Sequence, residues 1–163
     1  MAIIIEDGSR VSGATSYITA AELAAHACAR GLTLSRPPKV LIAESMDFLE
    51  SFDKRFVGQR VARDQALSWP RTDVVLEGWS WSSAEIPRQV KNAQLALCIE
   101  ADASQDLFNP PDAELPAIRK KVDGAVEIEY ANPGQALKVN KTQKSRAHIN
   151  ILLNNNGMFL VRA

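Results

Sequence analysis

The sequence predicts a mainly α protein, a few helices accompanied by one β-hairpin, and three observations carry that prediction. Apolar residues recur at spacings of three and four after Pro37-Pro38 and again after Ile86-Pro87, the period of a helix with one buried face. A Thr-x-x-Glu box, early prolines and following glycines mark the ends of the helical stretches. Alternation with a period of two is clearest beside Asp123-Gly124, where Val126, Ile128 and Tyr130 are interleaved with Glu127 and Glu129, as in a strand with one wet face.

Ile3 to Ile5 suit a short strand or an extended arm, ended by Asp7-Gly8. Thr19-Ala-Ala-Glu22 reads as a capping box opening an alanine-rich helix, which should end near Arg30 with Gly31 as its left-handed stop. The second helix opens at Pro37-Pro38, where absent amide protons do no harm. It carries Leu41, Ser45, Phe48, Phe52 and Phe56 on one face and is expected to run to about Phe56, with Gly58 as its stop. A tryptophan-rich loop, 57–85, follows, because Pro70 forbids a helix through Trp69. Ile86-Pro87 opens the third helix, whose stripe of Val90, Gln94, Leu97 and Ala101 should pack on the second and end about Ala103.

The prolines and acids of 106–116 read as a linker. Asp123-Gly124 suits a two-residue type I′ turn in a hairpin spanning about 117–130. The basic stretch 138–146 has no clear period, while Ile149, Leu152 and Leu153 suggest a helical turn or two. Met158, Phe159, Leu160 and Val161, closed by Arg162, form an apolar terminus that should dock on this chain or a neighbour. The organisation expected is a helical core over 1–105 and a linker, hairpin and basic arm over 106–163.

Composition bounds the function. The 163 residues suffice for a packed core without disulfides or metals. Nineteen basic and nineteen acidic side chains give zero net charge, which argues against a protein that mainly coats nucleic acid. The charges are segregated. The first 130 residues hold 14 basic and all 19 acidic side chains, a net of −5, whereas the last 33 hold five basic and no acidic ones. Cys28 and Cys98 form no CxxC pair and read as buried free thiols of a reducing cytosol. The start has no basic n-region, so a signal peptide is not expected, and no apolar run approaches membrane-spanning length.

Nothing resembles a catalytic constellation. His26 and His148 are the only histidines, and no metal-ligand cluster or nucleotide, nucleophile-elbow or zincin motif is present. Asp47 with Glu50, and Asp102 with Asp106, have helical spacing but read as surface charges. No enzyme, cofactor or metal is expected. Trp69, Trp79 and Trp81 either anchor their loop on the helices or offer a stacking platform for bases or sugars. Lys138, Lys141, Lys144 and Arg146 form a basic arm facing a partner or DNA.

An ordered series of features resembles the head–tail connector (adaptor, head-completion) family of tailed bacteriophages, whose members are often labelled DnaT-like. The series comprises Glu6-Asp7-Gly8, Ser16-Tyr17-Ile18, then Gln65-x-Leu67-x-Trp69-Pro70-Arg71, then Ile86-Pro87 and its helix, the Asp123-Gly124 hairpin and the terminal Leu152-Leu153 to Val161-Arg162. The resemblance implies a small helical bundle with a β-hairpin and extended N- and C-terminal arms. It further implies a structural virion protein in a ring, typically of twelve copies, between the portal and the stopper or tail-completion protein, touching the channel's double-stranded DNA at most non-specifically and no membrane. In that setting Ile149, Leu152, Leu153 and the 158–162 terminus would meet the portal or the adjacent subunit. The competing reading is a DnaT-like replication accessory that binds single-stranded DNA.

Overall fold

The computed structural model describes residues 2–103, 107–108, 117–123, 125–130 and 143–153, with the backbone alone for 117–130 and Gln143. Within these residues the protein is a small helical domain with short antiparallel strand pairs. The helices are α1 (Ala20–Cys28), α2 (Pro38–Glu50), α3 (Arg88–Ala103) and α4 (Gln143–Leu152). The strands pair as β1 (Gln59–Arg60) with β2 (Arg71–Thr72), β3 (Val75–Leu76) with β4 (Trp79–Ser80), and β5 (Ala117–Asp123) with β6 (Ala125–Tyr130), all antiparallel.

Helix α3 is the hub, packed against both α2 and α4, with α1 touching α2 and α3. Its stripe of Val90, Gln94, Leu97 and Ala101 is buried as its spacing requires. One hydrophobic cluster joins Leu97 to Leu49, Phe52, Phe56, Trp69, Ile149 and Leu152. A second joins Leu23 of α1 to Leu41, Ile42 and Cys98. Burying each such large side chain contributes roughly 1.5–3 kcal/mol. Gln94, the polar member of the stripe, is fully buried: its Oε1 accepts from the Tyr17 amide at 3.0 Å and its Nε2 donates to Ser16 Oγ at 2.9 Å. The buried amide group is thus satisfied, and it ties the N-terminal segment to α3.

The α1 capping box is present: Glu22 N donates to Thr19 Oγ1 at 3.1 Å, and Thr19 N to Glu22 Oε2 at 2.6 Å. Gly31 follows the helix at φ +65°. Helix α2 is shorter than its apolar spacing predicts. It ends at Glu50, and Phe52 and Phe56 instead flank a 3-10 turn, Asp53–Arg55. The cause is local. Phe52 N donates to Leu49 O, which tightens the turn, and Ser51 Oγ occupies Phe48 O. Both phenylalanines remain in the core, so the spacing foretold the burial and not the helix.

Gly58 is required where it stands. Its φ is +71°, and a Cβ there would lie 2.2 Å from Thr72 O, so β1 and β2 could not pair with any other residue at that position.

The terminal helix is longer than its apolar spacing predicts. Helix α4 runs for ten residues from Gln143, starting inside the stretch that shows no period. Glu100 of α3 supplies its N-terminal anchor, accepting from Ser145 N at 3.1 Å and from Ser145 Oγ at 2.7 Å. In the 117–130 hairpin the register pairs Val122 with Val126 and Asp123 with Ala125. That register does not match the two-residue Asp123-Gly124 turn expected, in which residues 122 and 125 would pair. Gly124 itself, most of the 106–116 linker, and Lys138 and Lys141 lie outside the described residues, as does the 158–162 terminus. Cys98 is buried while Cys28 is exposed, which corrects the expectation for Cys28. Burial pushes the Cys98 thiol up to about 12 despite its hydrogen bond to Ser45, leaving it unreactive.

Candidate nucleic-acid interface

The segment between α2 and α3 divides into a buried half and an exposed half. The buried half holds Gln65, Leu67, Trp69, Pro70 and Arg71, each under a tenth exposed. Gln65 Nε2 donates to Leu67 O at 2.7 Å and to Pro70 O at 3.1 Å, while its Oε1 accepts from Ala62 N at 3.1 Å. The Arg71 guanidinium donates to Val57 O (2.9 Å), Gly58 O (3.0 Å) and Ser68 O (3.3 Å) and reaches Asp53 Oδ1 at 3.2 Å. Trp69 lies edge-on to Phe56, ring centres 5.8 Å apart. Of the two other signature residues, Pro87 is buried and Ile86 packs on the core beside α3.

Beneath this loop lies a polar network that sequence reasoning missed. Tyr17 Oη donates to Glu50 Oε1 at 2.9 Å and accepts from Trp69 N at 3.0 Å. Ser68 N and Oγ both donate to Glu50 Oε2, at 2.9 and 2.5 Å. Burial, and then the charge of Glu50, push the Tyr17 phenol well above its ordinary value, so the hydroxyl stays protonated and keeps donating. Burial would raise the Asp53 carboxyl, but hydrogen bonds from Arg60 and Ser68 and the charges of Arg60 and Arg71 together hold it below its ordinary value. Glu6 is similarly internal, its carboxylate accepting from the amides of Gly8, Arg10 and Val11 at 2.9 Å each. Gln94 within an apolar stripe and Glu6 before a glycine were the visible signals of this network. Asp102 is structural as well, taking the Ser35 and Arg36 amides ahead of α2, and Asp47 is exposed while Asp106 lies outside the described residues.

The exposed half is the β3–β4 hairpin. Glu77 (φ +54°) and Gly78 (φ +84°) give two consecutive left-handed residues, the geometry of a tight turn matched to strand twist. Val74 and Leu76 are buried, and Trp81 N donates to Val74 O at 2.8 Å. The hairpin is therefore fixed to the core, and Trp81 leans partly buried against it. Trp79, opposite Leu76 in the register, is 77% exposed, and Val75 is exposed as well. Of the three tryptophans, Trp69 anchors the loop, Trp81 packs partly against the core, and Trp79 presents a large ring to solvent.

Exposed cations are carried by several other elements. Lys54 and Arg55 are exposed on the 3-10 turn, and Arg63 is exposed between β1 and β2. A polar recess of about 270 Å³ lies between residues 9–13 and 62–66, with Arg10, Ser9 and Ser12 on its wall and Asp64 opposing them. Of the predicted basic arm, Lys144 and Arg146 are exposed on α4. They sit at its Glu100 end, whereas Leu152 O accepts from Val57 N at the end nearer the strands. Burial, then the charges of Arg30 and His148, hold His26 below its ordinary value, so its imidazole is neutral near pH 7 and adds no positive charge.

Ile149, Leu152 and Leu153 are at most 7% exposed, within the chain's own core. This overturns their assignment to a portal or subunit contact, because a side chain enclosed by its own fold has no surface left for a neighbour. Among the described residues no group of His, Cys, Asp and Glu could hold a metal, and no helix is long and apolar enough to cross a membrane.

A family model described as "Putative DnaT-like ssDNA binding protein" matches residues 1–163, and the chain belongs to that family. No curated protein and no solved structure matches it. The head–tail connector resemblance is corrected by this finding, since no connector family is shown. With it the ring of twelve, the portal and stopper partners and the place in a virion neck lose the ground they stood on. The motif that carried the resemblance, Gln65 to Arg71, is buried and bonded to its own backbone, so it records how the loop folds and not what the surface binds.

Proposed function

We propose that this protein binds single-stranded DNA as a DnaT-like replication accessory. The observation that carries the reading beyond family membership is Trp79, a ring 77% exposed on a two-stranded turn whose base is locked into the core. An indole held this way costs little entropy to stack on a base, and stacking tolerates any sequence. Lys54, Arg55, Arg63 and Arg10 supply phosphate partners near the strands. Lys144 and Arg146, exposed on α4, add further phosphate partners, and Lys138 and Lys141 belong to the same basic stretch of sequence. In this reading the helices form a small bundle as the rigid body, with the N-terminal segment tied to α3, and the protein acts by binding, without catalysis or a cofactor.

The balanced charge of the whole chain is compatible with a modest, local electrostatic footprint. Neutralising about four phosphates would give a slope near −3 for log affinity against log salt on single strands. The test is a fluorescence-anisotropy titration of a labelled oligothymidylate at several salt concentrations. Binding that weakens with that slope supports the reading. Absence of binding at tens of micromolar protein in about 50 mM salt contradicts it.

A further inference from the structure

We infer that the outer face of α2 is a two-fold interface for a second copy of this chain. The buried side of α2 is filled by Leu41, Ile42, Ser45, Met46, Phe48 and Leu49. Its other side leaves Lys39, Val40, Ala43 and Asp47 exposed. Lys39, Ala43 and Asp47 are four residues apart, one stripe along the helix. Val40 is 41% exposed beside it, and Ile4, 40% exposed, belongs to the neighbouring N-terminal segment. Between that segment and α2 runs a groove of about 380 Å³, with Ala2, Ile3, Thr15 and Val40 on its walls.

The order of charges selects the occupant. Lys39 and Asp47 stand at equal distances on either side of Ala43, about 6 Å each by helix rise. Laid antiparallel on itself with Ala43 at the crossing, the stripe brings each Lys39 opposite the other copy's Asp47, and the pairing occurs twice. The small side chain at the centre permits close approach, and Val40 and Ile4 supply apolar area around it. A face complementary to itself under a two-fold operation is what an isologous dimer needs. Zero net charge adds no long-range repulsion between copies. Glu44, also on this side, is already paired with Arg36 of its own chain and leaves the stripe's charges uncompensated.

Sedimentation velocity on the full chain from about 1 to 200 µM tests this, the range where a small interface associates. Wild type is expected to pass from monomer to dimer. Lys39→Glu alone places Glu opposite Asp47, and Asp47→Lys alone places Lys opposite Lys39, so each should weaken dimerisation about 10-fold or more. Both positions are solvent-facing, and a circular-dichroism spectrum matching wild type is required of each variant before its association is compared. A 1:1 mixture of K39E and D47K is expected to recover dimers, since in the mixed pair every contact is again opposite in sign, and the K39E/D47K double variant should recover them too. A wild-type chain that stays monomeric throughout overturns the proposal, whether residues after Leu153 or another protein covers the face. So do single variants that dimerise like wild type, or a mixture no better than its components.

Discussion

Two tryptophans ten residues apart in one connecting segment have opposite fates. Trp69 is 1% exposed and Trp79 is 77% exposed. Around Trp69 the chain spends its polar groups on itself, and Gln65, Ser68 and Arg71 bond inward to carbonyls or carboxylates. Around Trp79 it does the reverse: a short turn is secured by Val74 and Leu76 below and leaves the ring with no internal role. The first tryptophan specifies the fold, and the second is available for recognition. Motif strength and functional exposure are therefore inversely placed along this loop.

The contrast should be sharpest in stability. Trp69→Ala removes a fully buried ring and its contact with Phe56, and is expected to cost about 3–5 kcal/mol in urea unfolding. Arg71→Met comes next. It strands the carbonyls of Val57, Gly58 and Ser68, and about 3 kcal/mol should be lost. Either variant unfolding at the wild-type midpoint would break the distinction between the two halves.

A pH dependence follows from Asp53. Its folded carboxyl lies below the ordinary 3.8, so the unfolded chain takes up its proton first as pH falls. The stability that Asp53 contributes is present above that value and is lost as pH drops through the folded value. The stability gap between wild type and Asp53→Asn should accordingly be constant from pH 7 to 5 and close below about pH 4. A gap unchanged at pH 3 would remove Asp53 from the account of how Arg71 is held.

Much of the helical frame was legible because local chemistry and tertiary packing agree there. Thr19 and Glu22 cap α1, Pro87 precedes α3, and the Val90 to Ala101 stripe is the buried one. The misplaced boundaries are set by individual hydrogen bonds, local at one helix end and distant at the other. Ser51 and Phe52 break the last turns of α2, and Glu100 starts α4 from 45 residues away. Neither influence leaves a periodic trace. The β3–β4 turn had a signal, Glu77-Gly78 between Val75-Leu76 and Trp79, but its strands are two residues each, too short to alternate. The candidate interface was half legible: the tryptophan cluster was visible, while which of its rings is exposed depends on how β3 and β4 seat on the core.

The most direct test compares oligonucleotide affinity for wild type and Trp79→Ala at one low salt concentration, with urea unfolding run on the same samples. The account predicts unfolding within about 0.5 kcal/mol of wild type and affinity reduced about 10-fold or more, as expected for the loss of one stacked base. Equal affinity in the two proteins would contradict it, because the exposed indole would then have no part in recognition.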